Sequence, residues 1–273
     1  KINLRELYPD VYTTDFFVNV TEEVLDVIQT AQRLEAAYER RMYRHKAHYS
    51  LDCGNGIEKA AVFRTATPED IFEELTAQDA SVAGFNPYEQ PTVRDLLYGV
   101  LLPSGADACE TLARAVGGSE EGFVAMMNQK AEELGLTNTH FENCTGLHND
   151  NHYSTCRDIA VLMSECLKSD TFREIVTREV YTTEATASHP EGITLYDTML
   201  HRFTSYEMST TLENGAVIEG GKTGFTDEAG QCLVSFAEYG GEEYILVTAE
   251  AMTDSGSAVD SIADASTVYG RLQ

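Results

Sequence analysis

The chain has no tryptophan, and only six prolines and six cysteines in 273 residues. The cysteines, at positions 53, 109, 144, 156, 166 and 232, form no C-x-x-C pair and no zinc-ligand spacing. A zinc ribbon and a dithiol redox centre are thereby excluded, and neither a metal nor another cofactor is expected. Most of the thiols are expected to be buried, with a disulfide or two only if the protein is exported. No apolar run approaches the length of a membrane span, so no transmembrane segment is expected in this chain. Positive charge is scarce too: 19 Lys and Arg stand against 45 Asp and Glu, a net charge of -26. Such a balance argues against binding nucleic acid through its phosphates and against docking on anionic lipid. It suits solubility outside the cytoplasm or in salt.

What is present is globular. Hydrophobic residues make up 42% of the chain, enough for a sizeable core. The start, Lys1-Ile2-Asn3-Leu4-Arg5, reads as a trimmed or mature N-terminus. Residues 11–20, VYTTDFFVNV, read as a strand, and Thr21 then caps a helix whose stripe runs from Val24 to Met42. Gly54-Asn55-Gly56 breaks the chain, and a helix follows from Thr67, with Pro68 at its first position. PTVRDLLYGVLLPSGADACETLARAVGG reads as a helix, a turn at Pro103 to Gly105, and a second helix ending at Gly117-Gly118. EGFVAMMNQKAEELGL and STCRDIAVLMSECLKSD are further amphipathic helices. CLVSFAEYGGEEYILVTAEAM is a pair of β-runs joined at Gly240-Gly241, and a helix closes the chain. Helices in the middle and strands towards the ends predict an α+β fold.

Chemistry points first to GGKTGFTDEAG, residues 220–230. Lys-Thr-Gly is one of three motifs that mark penicillin-binding proteins and class A β-lactamases. On a strand lining a cleft, Lys222 offers a charge to a substrate carboxylate and Thr223 a hydroxyl, while Gly224 leaves room for a ligand backbone. Thr226 follows within the same stretch as a further substrate-binding candidate. Ser104-Gly105-Ala106 lies in the turn between two helices, where a side chain is presented either to a cleft or to the helix as a cap.

TVRDLLYGVLLPSGADAC, GLTNTHFENCTGLHNDNHYSTCRDIAVLM and IEGGKTGFTDEAGQCLVSFA together resemble the serine D-Ala-D-Ala carboxypeptidases, the low-molecular-mass penicillin-binding proteins. The likeness runs from about Thr65 to the C-terminus. It implies a β-lactamase/transpeptidase-like fold in a single domain, residues 1–273, with a helical subdomain over about 67–175 and a sheet subdomain from the N-terminal segment and about 176–273. It also implies an extracytoplasmic protein of peptidoglycan metabolism, with stem peptides or β-lactams as ligands.

Of the family's three motifs, Lys222-Thr223-Gly224 is intact. The second, Ser-Gly-Asn in such enzymes, is Ser104-Gly105-Ala106 here, so the amide that would bond substrate and the catalytic lysine is gone. The first, Ser-x-x-Lys, places a nucleophile and its base on one turn of helix. Lys1 has nothing three residues before it, and the other five lysines follow Tyr43, Gly56, Met127, Glu165 and Glu219 at that spacing. The motif is therefore absent. By position it belongs in residues 36–53, where Ser50 is the only serine and Cys53 takes the place of lysine. Ser154 precedes Arg157 at the right spacing, but a guanidinium stays protonated and is a poor base. The expectation is a catalytically degenerate relative that keeps a peptide-carboxylate cleft lined by Ser104, Lys222, Thr223, Gly224 and Thr226. Such a relative would bind peptidoglycan peptides or a protein partner; the alternatives are an active enzyme using Ser104 or Ser50, and a structural cell-envelope module in which even the cleft is vestigial.

Overall fold

The computed structural model describes residues 80–251 and 260–273, together with Leu75 and the backbone of Ile2–Asn3 and Phe17–Val18. The expected helices from Thr21 and Thr67, most of the strand expected at 11–20, and Ser50 lie outside the described residues. The chain divides into two compact units, Lys1–Cys53 and Gly54–Gln273. In the first, β1 (Ile2–Asn3) pairs antiparallel with β2 (Phe17–Val18). Everything below concerns the second.

Among its described residues, five helices come first. Helix α1 (Val93–Leu101) starts at a capping box: Thr92 Oγ1 accepts from Asp95 N–H, and Thr92 N–H donates to the Asp95 carboxylate. Helix α2 (Ala106–Gly117) ends at Gly118, whose φ of 79° is the left-handed closure that glycine adopts without strain. Ser119, Thr155 and Ser169 cap α3 (Glu120–Glu133), α4 (Cys156–Cys166) and α5 (Asp170–Val176), each hydroxyl accepting a first-turn N–H. The expected amphipathic character of α3 is weak, because Ala131 is its one buried residue.

After α5 the chain forms a short antiparallel pair, β3 (Val180–Thr182) with β4 (Thr194–Tyr196), and helix α6 (Leu200–Ser205). Then come β5 (Val217–Thr226), β6 (Gly230–Tyr239) and β7 (Glu242–Ala251), an antiparallel sheet in the order β5-β6-β7. Helix α7 (Asp260–Tyr269) follows. The three long strands fall where the sequence pattern puts them. The β6–β7 turn uses Gly240 and Gly241, both at positive φ, as a tight hairpin requires.

Alternation along β6 gives the sheet two buried faces. Leu233 and Ala237 pack with Ile262, Ala265 and Tyr269 of α7, and with Met199 and Phe203 around α6. Phe236, of opposite parity, packs with Met163 and Leu167 near α4 and with Val176 of α5. A separate core forms under α1 and α2 from Phe85, Leu96, Tyr98, Leu102, Ala108 and Leu195. Each buried Leu, Ile, Val, Met or Phe among them contributes about 1.5–3 kcal/mol, and together these clusters fix the α1–α2 turn and strand β5 in place.

Candidate active site

The α1–α2 turn is clamped from several directions. Gly105 N–H donates to Gly99 O at 2.9 Å, and Ala106 N–H to Ser81 O at 2.8 Å. A side chain on Gly105 would sit 2.7 Å from the Ala83 β-carbon, so only glycine permits this approach. The buried Asp107 carboxylate accepts from Ala83, Gly84 and Phe85 N–H at 2.8–2.9 Å, folding that loop onto the start of α2. Thr198 N–H donates to Leu102 O at 3.1 Å and joins the turn to the segment before α6. Ser104, thus fixed, has φ 62°, a left-handed conformation that costs a non-glycine residue energy. It is not the cap of α2. That position belongs to Gly105, and no side chain bonds there.

Strand β5 supplies the opposite wall. The Lys222 ammonium donates to Ser104 Oγ and, at 2.9 Å, to Thr223 O. Thr223 Oγ1 lies 2.6 Å from Thr198 Oγ1. Ser104, Lys222, Thr223, Gly224 and Thr226 all line one cleft of about 680 Å³. The structure brings these five sequence-selected residues together. Ser154 is not among them; its hydroxyl meets Thr139 Oγ1 at 2.8 Å, and Thr155 beside it caps α4.

The cleft also holds residues that the motifs do not mark. Thr145, Gly146 and Leu147 form one rim, shaped by Asn143, which accepts from Gly146 N–H and donates to Leu147 O. Arg202 of α6 adds a second cation to the lining. Beneath it, Asp197 is 1% exposed and its Oδ1 accepts from Met199 and Leu200 N–H at 2.8 and 2.6 Å. Its Oδ2 is buried without a hydrogen-bond partner among the described residues. Burial pushes the Asp197 carboxyl up to about 6, against the two backbone bonds and the charges of Lys222 and Arg202. Burial also pulls the Lys222 ammonium down, a shift that Asp197 opposes and Arg202 reinforces.

Among the described residues, Glu110, Glu120 and Cys144 bring possible ligand atoms within 4.8 Å of one another. They are already matched internally: Arg114 Nε holds Glu110 at 3.2 Å, and the Cys144 thiol, pushed up by burial, donates to Glu110 Oε1 at 3.6 Å. None of the three lines the cleft. The five described cysteines are free thiols, most of them half-buried rather than fully buried, and Cys156 is exposed.

Comparison with known proteins decides what this cleft descends from. Residues 61–253 match the family model described as D-alanyl-D-alanine carboxypeptidase. The chain belongs to the D-alanyl-D-alanine carboxypeptidase family. D-alanyl-D-alanine carboxypeptidase DacF of Bacillus subtilis is 35% identical over 182 residues, covering 66% of this chain and 43% of the relative. A Streptomyces D-alanyl-D-alanine carboxypeptidase is 38% identical over 163 residues, covering 58% of this chain and 54% of the relative. The chain thus spans about half the length of these curated relatives. The crystal structure of a Streptomyces DD-transpeptidase superposes with a TM-score of 0.64 at 30% identity, over 82% of this chain and 80% of that one. A Mycobacterium tuberculosis D-alanyl-D-alanine carboxypeptidase gives a TM-score of 0.57 at 28% identity, over 69% and 66% of the two chains. The fold is the α+β, β-lactamase-like one of this family, an antiparallel sheet flanked by helices.

Proposed function

We propose that this protein is a peptidoglycan-directed member of its family that binds stem peptides ending in D-Ala-D-Ala through their terminal carboxylate, and that it has lost the family's Ser-x-x-Lys route to catalysis. The observation that carries the reading is the convergence of Lys222, Thr223 and Ser104 on one cleft in a chain with no Ser-x-x-Lys. Lys222 supplies the charge, Thr223 and Thr226 supply hydroxyls, and Gly224 leaves the rim open for a peptide backbone. Without a nucleophile and base on one helical turn, the family's acylation step has no starting pair. β-Lactams, which present a carboxylate beside an amide, are the second ligand class for the same cleft. Such substrates place the protein outside the cytoplasm. Among the described residues no helix is long and apolar enough to cross a membrane.

The binding is weak. A charged hydrogen bond from Lys222 contributes about 1.5–3 kcal/mol, and association itself costs several kcal/mol. The net charge of -26 repels an anion at low salt. The expected affinity for a short D-Ala-D-Ala peptide is in the millimolar to high micromolar range, roughly -4 to -6 kcal/mol. NMR titration of the full chain and of Lys222→Ala tests it. Chemical shifts around the cleft in the parent, lost in the variant and stronger at higher salt, are the expected result. Equal shifts in both proteins, or none in either, would remove the cleft from the function.

A further inference from the structure

We propose that Phe225 selects the far end of the ligand: the cleft prefers a D-Ala-D-Ala peptide that carries an uncharged, apolar acyl group on its N-terminal nitrogen over one that carries a small or anionic group. This rests on the reading that the terminal carboxylate sits at Lys222 and Thr223, and it adds the chemistry of the other end.

Phe225 follows Lys222-Thr223-Gly224 on β5 and lines the same cleft. It is 67% exposed, the most exposed large apolar side chain among the described residues, and it belongs to none of the three buried clusters. A lone apolar residue on an open surface is ordinary. A phenyl ring on the wall of a cleft, close to its charged groups, is a contact surface waiting for a ligand. The ring is also well placed by its backbone. Thr223 pairs with Leu233, Gly224 with Cys232 and Phe225 with Gln231, without a bulge between them.

Spacing along the strand says which part of the ligand meets the ring. Alternation puts Thr223 and Phe225 on one face, separated by about 6.5–7 Å at the rise of a strand. A peptide lying extended along β5 has the same repeat. With its carboxylate at Lys222 and Thr223, its last two residues span that interval, and the acyl group on the second nitrogen arrives at Phe225. Gly224, in between, has no side chain to block the passage, and the nearest atom to an added carbon there would be the Cys232 β-carbon at 3.7 Å.

The neighbours of Phe225 define the chemistry of that group. The loop carrying Thr145, Gly146 and Leu147 is held against the β5–β6 turn, because His148 Nδ1 lies 3.6 Å from Glu228 Oε2. Leu147, half-buried, therefore lines the cleft at this end as a second apolar side chain. The cations of the lining are Lys222 and Arg202, and neither follows Phe225 on β5. Asp227 and Glu228, both exposed, come next in the chain and repel a negative group. Apolar surface with carboxylates beyond it favours an uncharged acyl chain.

The test titrates the full chain, followed by NMR, with acetyl-, hexanoyl- and succinyl-D-Ala-D-Ala, which share the carboxylate end and differ only in the acyl group. The hexanoyl peptide should bind about tenfold more tightly than the acetyl one, as partial burial of the added methylenes implies. The succinyl peptide should gain nothing over acetyl. Phe225→Ala should bring the hexanoyl-to-acetyl ratio down to about twofold or less, and Phe225→Tyr, which keeps the ring, should preserve it. Thermal melting shows that both variants fold. Equal affinities for the hexanoyl and acetyl peptides, a preference that survives in Phe225→Ala, or a succinyl peptide as tight as the hexanoyl one overturns the inference. Shifts of equal strength from all three peptides leave the carboxylate reading standing and remove the role of Phe225 alone, whereas shifts from none bring down both.

Discussion

Lys222 of strand β5 donates a hydrogen bond to Ser104, 118 residues earlier in the chain, in the turn between α1 and α2. The bond spans the cleft and joins the sheet to the helical part of the fold. On the Ser104 side it is held by a backbone in the left-handed region. Both sides have consequences that can be measured.

The strain at Ser104 separates two substitutions that lose the same hydroxyl. Alanine keeps the unfavourable φ of 62°, whereas glycine adopts it freely. Left-handed backbone costs a non-glycine residue about 1–2 kcal/mol. Ser104→Gly should therefore be more stable than Ser104→Ala by about 1 kcal/mol in urea unfolding. An alanine variant as stable as the glycine one would show that the turn relaxes.

Asp197 predicts how stability responds to pH. Its folded-state value is raised from 3.8 to about 6, so the native state holds the proton more tightly than the unfolded chain. The stabilisation from this group is complete below the unfolded value and is lost as pH rises through 6. The difference corresponds to roughly 3 kcal/mol. Asp197→Asn keeps an acceptor for the Met199 and Leu200 N–H groups and removes the buried charge. It should melt higher than the parent at pH 8, with the gap closing near pH 4. A constant gap across that range would mean that the carboxyl does not titrate there.

The parts legible in the sequence are those with a repeating pattern or an intact motif. Strands β6 and β7 are two ten-residue runs either side of a pair of glycines, and Lys222-Thr223-Gly224 names its own strand. Residues 177–216 carry no pattern that names an element. β3 and β4 have three residues each and α6 six, too short to show a period. Their form is set by contacts from afar, such as Asp197 N–H on Glu179 O and Thr198 N–H on Leu102 O. The cleft roles of Asp197, Thr198 and Arg202 were hidden for that reason. An Asp-Thr pair just before an apolar stretch is a helix-start signal that would have marked the place.

Asp107 should matter to both fold and cleft. Its two oxygens accept three backbone N–H groups, from Ala83, Gly84 and Phe85, and the same loop carries Ala80 and Ser81 to the cleft wall. Asp107→Ala leaves those donors without their acceptor, at about 1–3 kcal/mol apiece where buried. A loss of at least about 3 kcal/mol is expected in denaturant unfolding. Milder loss would mean that water replaces the carboxylate in that loop.

Two glycines three positions apart on β5 should respond in opposite ways to the same added methyl group. At Gly221 the new carbon would lie 2.4 Å from Val234 O and 2.8 Å from the Met199 sulfur, inside a packed layer. Relieving that overlap means moving β6 or the segment before α6, at a cost of typically 1–3 kcal/mol or more. At Gly224 the nearest atom would be the Cys232 β-carbon at 3.7 Å, an ordinary contact, and the position is exposed on the cleft. Gly221→Ala should therefore lower the melting temperature clearly. Gly224→Ala should unfold within about 0.5 kcal/mol of the parent yet bind a D-Ala-D-Ala peptide roughly tenfold more weakly, a difference of about 1.4 kcal/mol. Melting curves and NMR titrations of the two variants separate the roles. Stability lost equally in both would deny the crowding at Gly221, and unchanged affinity in Gly224→Ala would mean that the ligand does not pass over that residue.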